Sequence, residues 1–293
     1  MEHPARLTVG VVGAGRVGAV LGAALARAGH RVTGAYAVSD ASRARAADLL
    51  PDVPLADVAT IVGAAELVVL AVPDDALADL VAGLTATGAW QAGQMVVHTS
   101  GRHGVGVLEP ARRHHVLPLA LHPAMTFTGT AMDLDRLADC AFGVTTDEVL
   151  RPVAEALVVE MGGDPVWVAE ADRAAYHAAL AHGANHLVTL TSEAMDLLSR
   201  AGVEQPRRVL GPLMRAALDN ALRMGDAALT GPVARGDVGT VEDHLRELDR
   251  LSPEIRRTYV ALARATALRA LDSGRLRPAA AEPLLDTLSD QER

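Results

Sequence analysis

"VVGAGRVG", residues 11–18, is the stretch that decides the fold. Its glycines, Gly13, Gly15 and Gly18, are spaced as G-x-G-x-x-G. Alone, that match is weak. Here it follows an apolar run, "LTVGVV" (7–12), and opens a segment of helical periodicity, 16–28, that ends at Gly29. Strand, turn and helix in that order are the setting a dinucleotide-binding βαβ unit requires. Gly13 permits the tight turn, Gly15 lets the backbone approach a pyrophosphate, and Gly18 lets the helix pack on the strand. The helix N-terminus offers free N–H groups and partial positive charge to that phosphate. Ala14, Arg16 and Val17, the residues between the glycines, belong to the same turn. The competing reading is a glycine-rich turn that binds nothing.

Outward from this turn, short apolar runs alternate with helical stretches. Strands are expected at 31–38, 66–72, 94–99, 116–121, 141–146 and 164–168. Near-continuous apolar strands separated by helices imply a parallel sheet covered on both faces. After residue 168 the pattern is helical to the end, so the expected division is an α/β domain over 1–168 and an all-α domain over 169–293. A long helix is expected over about 171–201, stopped by Gly202. Pro206 suits the next helix start, and Gly211-Pro212 should interrupt that segment. Thr240 with Asp243 resembles a capping box, and Ser252-Pro253 starts a further helix.

Composition narrows the function. The 293 residues carry a formal net charge of −9 with spread acidic residues, which argues against a nucleic-acid partner. No apolar run approaches the roughly 20 residues that span a bilayer, and the glycine-rich N-terminus is a poor signal peptide. One cysteine, Cys140, excludes an internal disulfide and a cysteine metal cluster. A soluble cytoplasmic chain is expected. All 27 residues counted as Lys+Arg are arginine. Schiff-base chemistry and a lysine general acid are therefore excluded, and a proton donor must be His, Tyr, a carboxylic acid or water.

NAD binding usually places an Asp or Glu at the end of the second strand, for the ribose 2′-hydroxyl. Here the strand ends in Val38-Ser39, and Asp40 comes slightly late. Ser39, Ser42, Arg43 and Arg45 suit a 2′-phosphate instead, which favours NADP and leaves NAD open. These arginines could equally form an ordinary solvated helix face. "AVPD" (71–74) closes a strand, so Val72 and Pro73 should border the nicotinamide side or simply make a strand-to-helix turn.

"HTSG" (98–101) and "LHPAMTFTG" (121–129) also end strands, which places Ser100 and His122 on the cofactor edge. A serine hydroxyl can bond a substrate oxygen, and a histidine can pass the proton that accompanies hydride transfer. The plainer reading has Ser100 capping a turn and His122 bonding the backbone. No G-x-S-x-G elbow supports a hydrolase.

These stretches, with "AYHAALAHGANHL", "LTGPVARGD" and "TVEDHL", resemble a family of Rossmann-type proteins that carry a helical second domain of unknown function. The family is similar to a wider group containing 6-phosphogluconate dehydrogenase, 3-hydroxyisobutyrate dehydrogenase, ketopantoate reductase, pyrroline-5-carboxylate reductase and prephenate dehydrogenase. The resemblance implies a 6-phosphogluconate-dehydrogenase-like helical domain and a homodimer formed through it. Resemblance to prephenate dehydrogenases implies roles for Ser100 and for His122 of His122-Pro123. The Lys-x-x-x-Asn-x-x-x-Asn pattern of ketopantoate reductases falls on His177, Ala181 and Asn185, so only the last Asn matches. Pyrroline-5-carboxylate reductases bind a carboxylate at a loop resembling 230–240, where this chain has Arg235 and Thr240. Arg235 could clamp a carboxylate or pair with Asp237.

On an uninterrupted helix, His177 and Asn185 would lie about 80° apart and share a face, with His182 about 60° from Asn185 and His186 roughly opposite His177. His182 and His186 have metal-ligand spacing but lack the Glu of H-E-x-x-H and a third ligand, so no metal is expected. Tyr176 reads as half-buried core. The expected activity is NAD(P)-dependent hydride transfer to or from a small carboxylate-bearing ketone or imine, a ketopantoate-like 2-keto acid first. His122 and His177 would handle the proton. Ser100 and Asn185 would orient the reacting atom, with Arg235, Thr240 and His182 on the substrate. Prephenate-like oxidative decarboxylation, deazaflavin-dependent NADP reduction and a non-catalytic NADP(H) sensor are the alternatives.

Overall fold

The computed structural model describes residues 6–289. The chain forms two compact units, Met1–Gly183 and Ala184–Arg293. The division expected at 168 falls at the end of the last strand, and the first unit extends beyond it to 183.

The first unit is built on seven strands: β1 (Thr8–Val12), β2 (Arg31–Tyr36), β3 (Leu67–Leu70), β4 (Met95–His98), β5 (Leu117–Pro123), β6 (Ala141–Thr146) and β7 (Asp164–Trp167). Their order across the sheet is β2-β1-β3-β4-β5-β6-β7. Helices α1 (Arg16–Arg27), α2 (Asp40–Leu49), α3 (Val58–Gly63), α4 (Asp74–Ala86), α5 (Glu109–Arg112), α6 (Met132–Arg136) and α7 (Arg151–Glu160) connect them. Val9, Val11, Val68 and Val96 are almost wholly buried, as expected for strands covered on both faces. One core gathers α1 and α7 on one face of the sheet, and a second gathers α3 and α4 on the other.

β1 to β5 are mutually parallel, so their carboxyl ends share one edge. The last two strands depart from the expected parallel sheet. β6 runs antiparallel to β5, with His122 opposite Gly143, and β7 runs parallel to β6. β6 is buried along most of its length and carries no sequence mark of its direction, which is why the reversal is not legible from pattern alone. It has a structural effect: the chain leaves β7 at the opposite edge and returns through a short turn, Glu170–Asp172, into α8 (Arg173–Leu180).

The helix expected over 171–201 is not uniform. α8 passes into a π-helical turn, Ala181–Asn185, and then into α9 (His186–Arg200). The 100° phase used to relate His177 to Asn185 therefore does not hold, because i→i+5 bonding advances each residue by less. In the second unit α10 (Pro206–Met224) continues through Gly211-Pro212, with Pro212 inside it rather than interrupting it. Its later helices are α11 (Gly231–Arg235), α12 (Val238–Leu251), α13 (Pro253–Asp272) and α14 (Pro278–Ser289). α12 starts three residues earlier than the Thr240–Asp243 pattern indicated: Asp237 is its cap and accepts from the Thr240 N–H at 3.1 Å. Val241, Leu245, Val260, Ala267 and Leu284 join α12, α13 and α14 in one core. No helix among the described residues is long and apolar enough to cross a membrane.

Candidate active site

The glycine turn lies where β1 is flanked by β2 on one side and β3 on the other, the point at which ligands lodge in open α/β sheets. Gly13 has φ +100°, and a Cβ there would sit 2.5 Å from the Ala71 carbonyl oxygen. Only glycine meets both conditions. A Cβ on Gly18 would run into the Gly13 carbonyl, so Gly18 is the close contact of α1 on its strand. Gly15 differs, with nothing within 4 Å of the position its Cβ would take. It is also the N-cap of α1, where no side chain satisfies the first-turn amides and no acidic residue stands in that turn. Open space above bare N–H groups fits a pyrophosphate. Ala14 is buried, Arg16 is exposed and Val17 half-buried. Val72 lies against Gly13, and Pro73 is the N-cap of α4.

Ser39 caps α2: its Oγ accepts from the Ser42 N–H at 3.1 Å, and the Ser42 Oγ accepts from the Ser39 N–H at 3.0 Å. Arg43 lies 3.4 Å from Asp40 on the exposed face of that helix.

Farther along the same edge, the ends of β4 and β5 bring three histidines and a tyrosine together. His98 is fully buried. Its Nδ1 accepts from the Ser100 N–H at 3.2 Å, and its Nε2 lies 2.8 Å from the Gly104 carbonyl. A backbone N–H can only donate and a carbonyl only accept, so the ring is the neutral Nε2–H tautomer. Burial pushes its pKa down to about 4 against the raising effect of Gly104, with smaller contributions from Arg173 and His103 downward and Asp74 upward. His98 thereby shapes the loop that carries Ser100 and Gly101. The Ser100 Oγ accepts from the His103 N–H at 3.2 Å and caps the turn.

The His122 Nδ1 stands 3.0 Å from the Tyr176 hydroxyl, and its ring meets those of Tyr176 and His177 edge-on, with centroids 5.6 and 6.1 Å apart. Burial first, then the Arg173 charge and His177, push the His122 pKa down to about 4, opposed by Asp74. Burial likewise raises the Tyr176 pKa, although Arg173 lowers it in part. Both groups are neutral at physiological pH, and the proton between them lies on Nδ1 or on the phenol oxygen.

Two glycines make this cluster possible. A Cβ on Gly101 would lie 2.9 Å from both the His122 Nε2 and the His177 Cδ2. A Cβ on Gly143 would lie 2.5 Å from the Tyr176 hydroxyl. Gly143 opposes His122 across the β5–β6 pair, so its missing side chain is the space through which Tyr176 reaches His122. An isolated glycine inside "AFGVTT" is the sequence signal of such a close approach.

Arg173 is the residue sequence reasoning missed. It is 1% exposed, although arginine is seldom fully buried. Its guanidinium donates to the Thr145 hydroxyl at 2.7 Å and to the carbonyls of Gly143 at 2.9 Å, Ala120 at 3.0 Å and Ser100 at 3.4 Å. It thus ties β5, β6 and the loop after β4 to α8. Arg173, Tyr176 and His177 stand at i, i+3 and i+4, one face of α8. Among the described residues, no carboxylate pairs with Arg173 within 4.0 Å. Glu170, one turn earlier, anchors the approach by accepting from the Val105 and Gly106 N–H groups at 2.8 and 3.0 Å.

Ser100, His122 and His177 are thus neighbours in the first unit. His182 lies on the π-helical turn, and Asn185, Arg235 and Thr240 belong to the second unit. Arg235 ends α11. The Thr240 Oγ1 donates to Asp237 at 2.7 Å. The Asp237 carboxyl is held low chiefly by Thr240, with a smaller contribution from Arg235. Among the described residues, no group of three His, Cys, Asp or Glu side chains is placed to hold a metal ion.

This architecture defines a Rossmann-like α/β domain followed by a helical domain. Residues 2–123 match the Rossmann-like domain family, and residues 140–266 match the domain of unknown function DUF2520. No curated protein matches the chain. Among solved structures, it is similar to a candidate NADP oxidoreductase from Bacteroides fragilis, with 22% identity and TM-score 0.76 over 89% of this chain and 98% of that one. A protein from Thermotoga maritima matches with 21% identity and TM-score 0.71, over 90% of this chain and 98% of that one. An imine reductase from Myxococcus stipitatus in complex with NADP+ matches with 20% identity and TM-score 0.63, over 96% of this chain and all (100%) of that one. At these identities the likeness is one of fold.

Proposed function

We propose that the chain is an NAD(P)-dependent oxidoreductase, with NADPH favoured, acting on a small carboxylate-bearing ketone or imine. One observation carries the reading. A single sheet edge holds both the open, uncapped glycine turn and the His122–Tyr176–His177 cluster. The Myxococcus imine reductase, in complex with NADP+, lends support to the cofactor and to an imine among the substrates.

The dinucleotide would supply or accept the hydride; the chain supplies the rest. Gly13, Gly15 and Gly18 admit the pyrophosphate to the α1 N-terminus. Val72 and Pro73 border the nicotinamide side. Hydride addition to a C=O or C=N carbon leaves an oxygen or nitrogen that needs one proton. His122 and His177 are the groups proposed to handle it. A histidine with a pKa of about 4 holds no spare proton at neutral pH, so His122 works as the partner of the Tyr176 hydroxyl rather than as a cation. Ser100 and Asn185 are assigned to orienting the reacting atom. Arg235, Thr240 and His182 are assigned to the substrate carboxylate. A 2-keto acid of the ketopantoate type and a cyclic imine acid are the first substrates to try.

The test is NADPH oxidation with a panel of 2-keto acids and imine acids, comparing wild type with His122→Ala, His177→Ala and Tyr176→Phe. Turnover indifferent to all three changes would sink the site. Tight NADPH binding with no turnover on any substrate would turn the reading toward a sensor.

The chain is also proposed to form a homodimer through its helical unit. α9 buries none of its side chains, and α10 buries only Leu210. Val188, Val209, Leu213, Leu218 and Leu222 are exposed at 67%, 54%, 64%, 47% and 80%. Apolar helix faces left in water on this scale mark an interaction surface. α10 carries Arg207, Arg208, Arg215 and Arg223 with one acid, Asp219, whereas α9 carries Glu193 and Asp196 with one arginine, Arg200. A two-fold arrangement would set α9 of one copy on α10 of the other twice over.

A further inference from the structure

The arginines around the glycine turn divide into two kinds. Arg43 lies 3.4 Å from Asp40, and Arg136 lies 3.5 Å from Asp133. Arg16 and Arg45 make no ion pair or hydrogen bond within the described residues, although they come from different helices and meet at one place. That place is Gly129. A Cβ there would lie 2.7 Å from the Cδ and Nε of Arg45 and 3.1 Å from the Cγ of Arg16. Both side chains therefore lie across its backbone.

The seat itself is built. Gly129 has φ +78°, and its turn is fastened by the buried Asp133 carboxylate. Asp133 accepts from the Gly129 N–H at 2.7 Å, the Thr128 N–H at 2.8 Å and the Thr128 Oγ1 at 3.0 Å. Burial works against that charge, yet the bonds from Gly129 and Thr128 hold the carboxyl below its ordinary range. A buried anion thus fixes a turn whose outer surface carries two cations with no anion of their own. Two arginine side chains that meet over one glycine put like charge on one surface, and a phosphomonoester dianion bound there would offset it.

The position selects the phosphate. Arg16 stands inside the glycine turn, and Arg45 stands on α2, which starts directly after β2 at the Ser39 cap. In a bound dinucleotide the end of β2 lies beside the adenosine ribose. We infer that Arg16 and Arg45, seated on Gly129, recognise the 2′-phosphate of NADP(H), and that Arg43, tied to Asp40, does not. This rests on the dinucleotide reading above, and it makes Gly129, about 110 residues from the motif, a determinant of cofactor choice.

The experiment is equilibrium binding of NADPH and NADH, followed by nucleotide fluorescence, to the full chain and three variants. Arg45→Ala should weaken NADPH about 10- to 100-fold, the loss expected of a charge-assisted phosphate contact, and leave NADH within two-fold. Gly129→Val, which keeps every arginine but fills the seat, should give the same NADPH-selective loss. Arg43→Ala should change neither. Unchanged NADH binding is the internal proof that each variant is folded. Equal loss of both nucleotides in Arg45→Ala, or an NADPH-selective loss in Arg43→Ala, would overturn the inference. Wild type binding NADH and NADPH equally would overturn it while leaving the dinucleotide reading intact. Wild type binding neither would overturn both.

Discussion

The His122 Nδ1 and the Tyr176 hydroxyl are joined by a 3.0 Å hydrogen bond between β5 and α8. Both groups are neutral near pH 7, since the His122 pKa is pushed down to about 4 and that of Tyr176 is raised. This pair should therefore contribute no acid limb near pH 6.5, where an ordinary histidine titrates, and its own limb should appear only as pH approaches 4. Tyr176→Phe keeps the ring but removes the proton, and should lower kcat by about 100-fold or more if the pair acts in proton transfer. A pH–rate profile of wild type and variant checks both. An acid limb that persists in Tyr176→Phe and vanishes in His177→Ala would assign the proton to His177 instead.

Acid should destabilise the first unit early. His98 and His122 are depressed to about 4 from an ordinary value of 6.5. The unfolded chain therefore binds more protons than the folded one between those limits. Stability is full above pH 6.5 and is lost as pH falls toward 4. Each residue should remove about 2 kcal/mol by pH 5. Urea denaturation at pH 7 and pH 5 measures this, and an unchanged unfolding free energy would contradict the burial of both rings.

Gly143→Ala places a methyl where the Tyr176 hydroxyl now lies. It should cost about 1–3 kcal/mol in stability, as overpacking does, and should lower turnover by displacing Tyr176. The same change made in a Tyr176→Ala background should cost much less, because the clash is gone. A double-mutant cycle on thermal or urea stability reads the coupling directly, and additive costs would remove Tyr176 from the account.

Arg173→Met would leave the carbonyls of Ser100, Ala120 and Gly143 and the Thr145 hydroxyl without their donor. About 3 kcal/mol of destabilisation is expected, at the upper end for a buried polar network. Removing the charge should also let the His122 pKa rise, since Arg173 is the second cause of its depression after burial. Histidine resonances followed against pH report that shift. An unmoved His122 titration would make Arg173 purely a structural tie.

Leu218→Glu with Leu222→Glu puts charge on the exposed face of α10. If that face joins two copies, wild type should elute at the mass of a dimer and the variant at that of a monomer. Light scattering during size-exclusion chromatography decides, and a monomeric wild type would end the dimer proposal.

How far the sequence carries differs from residue to residue. The glycine turn was legible because Gly13 and Gly18 answer to steric demands that no other residue meets. The runs of β1, β3 and β4 were legible because burial on both faces leaves them almost wholly apolar. Direction was not, so the reversal of β6 and β7 had to come from the structure. Arg173 was not legible, because the expectation for arginine is solvent and its partners are a threonine hydroxyl and three backbone carbonyls, which any sequence supplies. Tyr176 was read as half-buried core, and Gly143, the small residue that admits it to His122, gave the only hint of its reach. The π-helical turn at 181–185 likewise leaves no mark in composition, although it undoes a helical-wheel argument that spans it.

The reversed pair β6–β7 has a consequence for how such a chain could be remade. Because the polypeptide is carried away from the working edge and back again, Glu170, Arg173, Tyr176 and His177 arrive there on one short contiguous stretch. The glycine turn, by contrast, is encoded about 160 residues earlier. A segment of some ten residues could be exchanged to install different acid–base chemistry while the phosphate-binding turn stays as it is. Divergence among chains of this architecture would then be a matter of replacing one cassette, with Gly101 and Gly143 setting the size of side chain it may present.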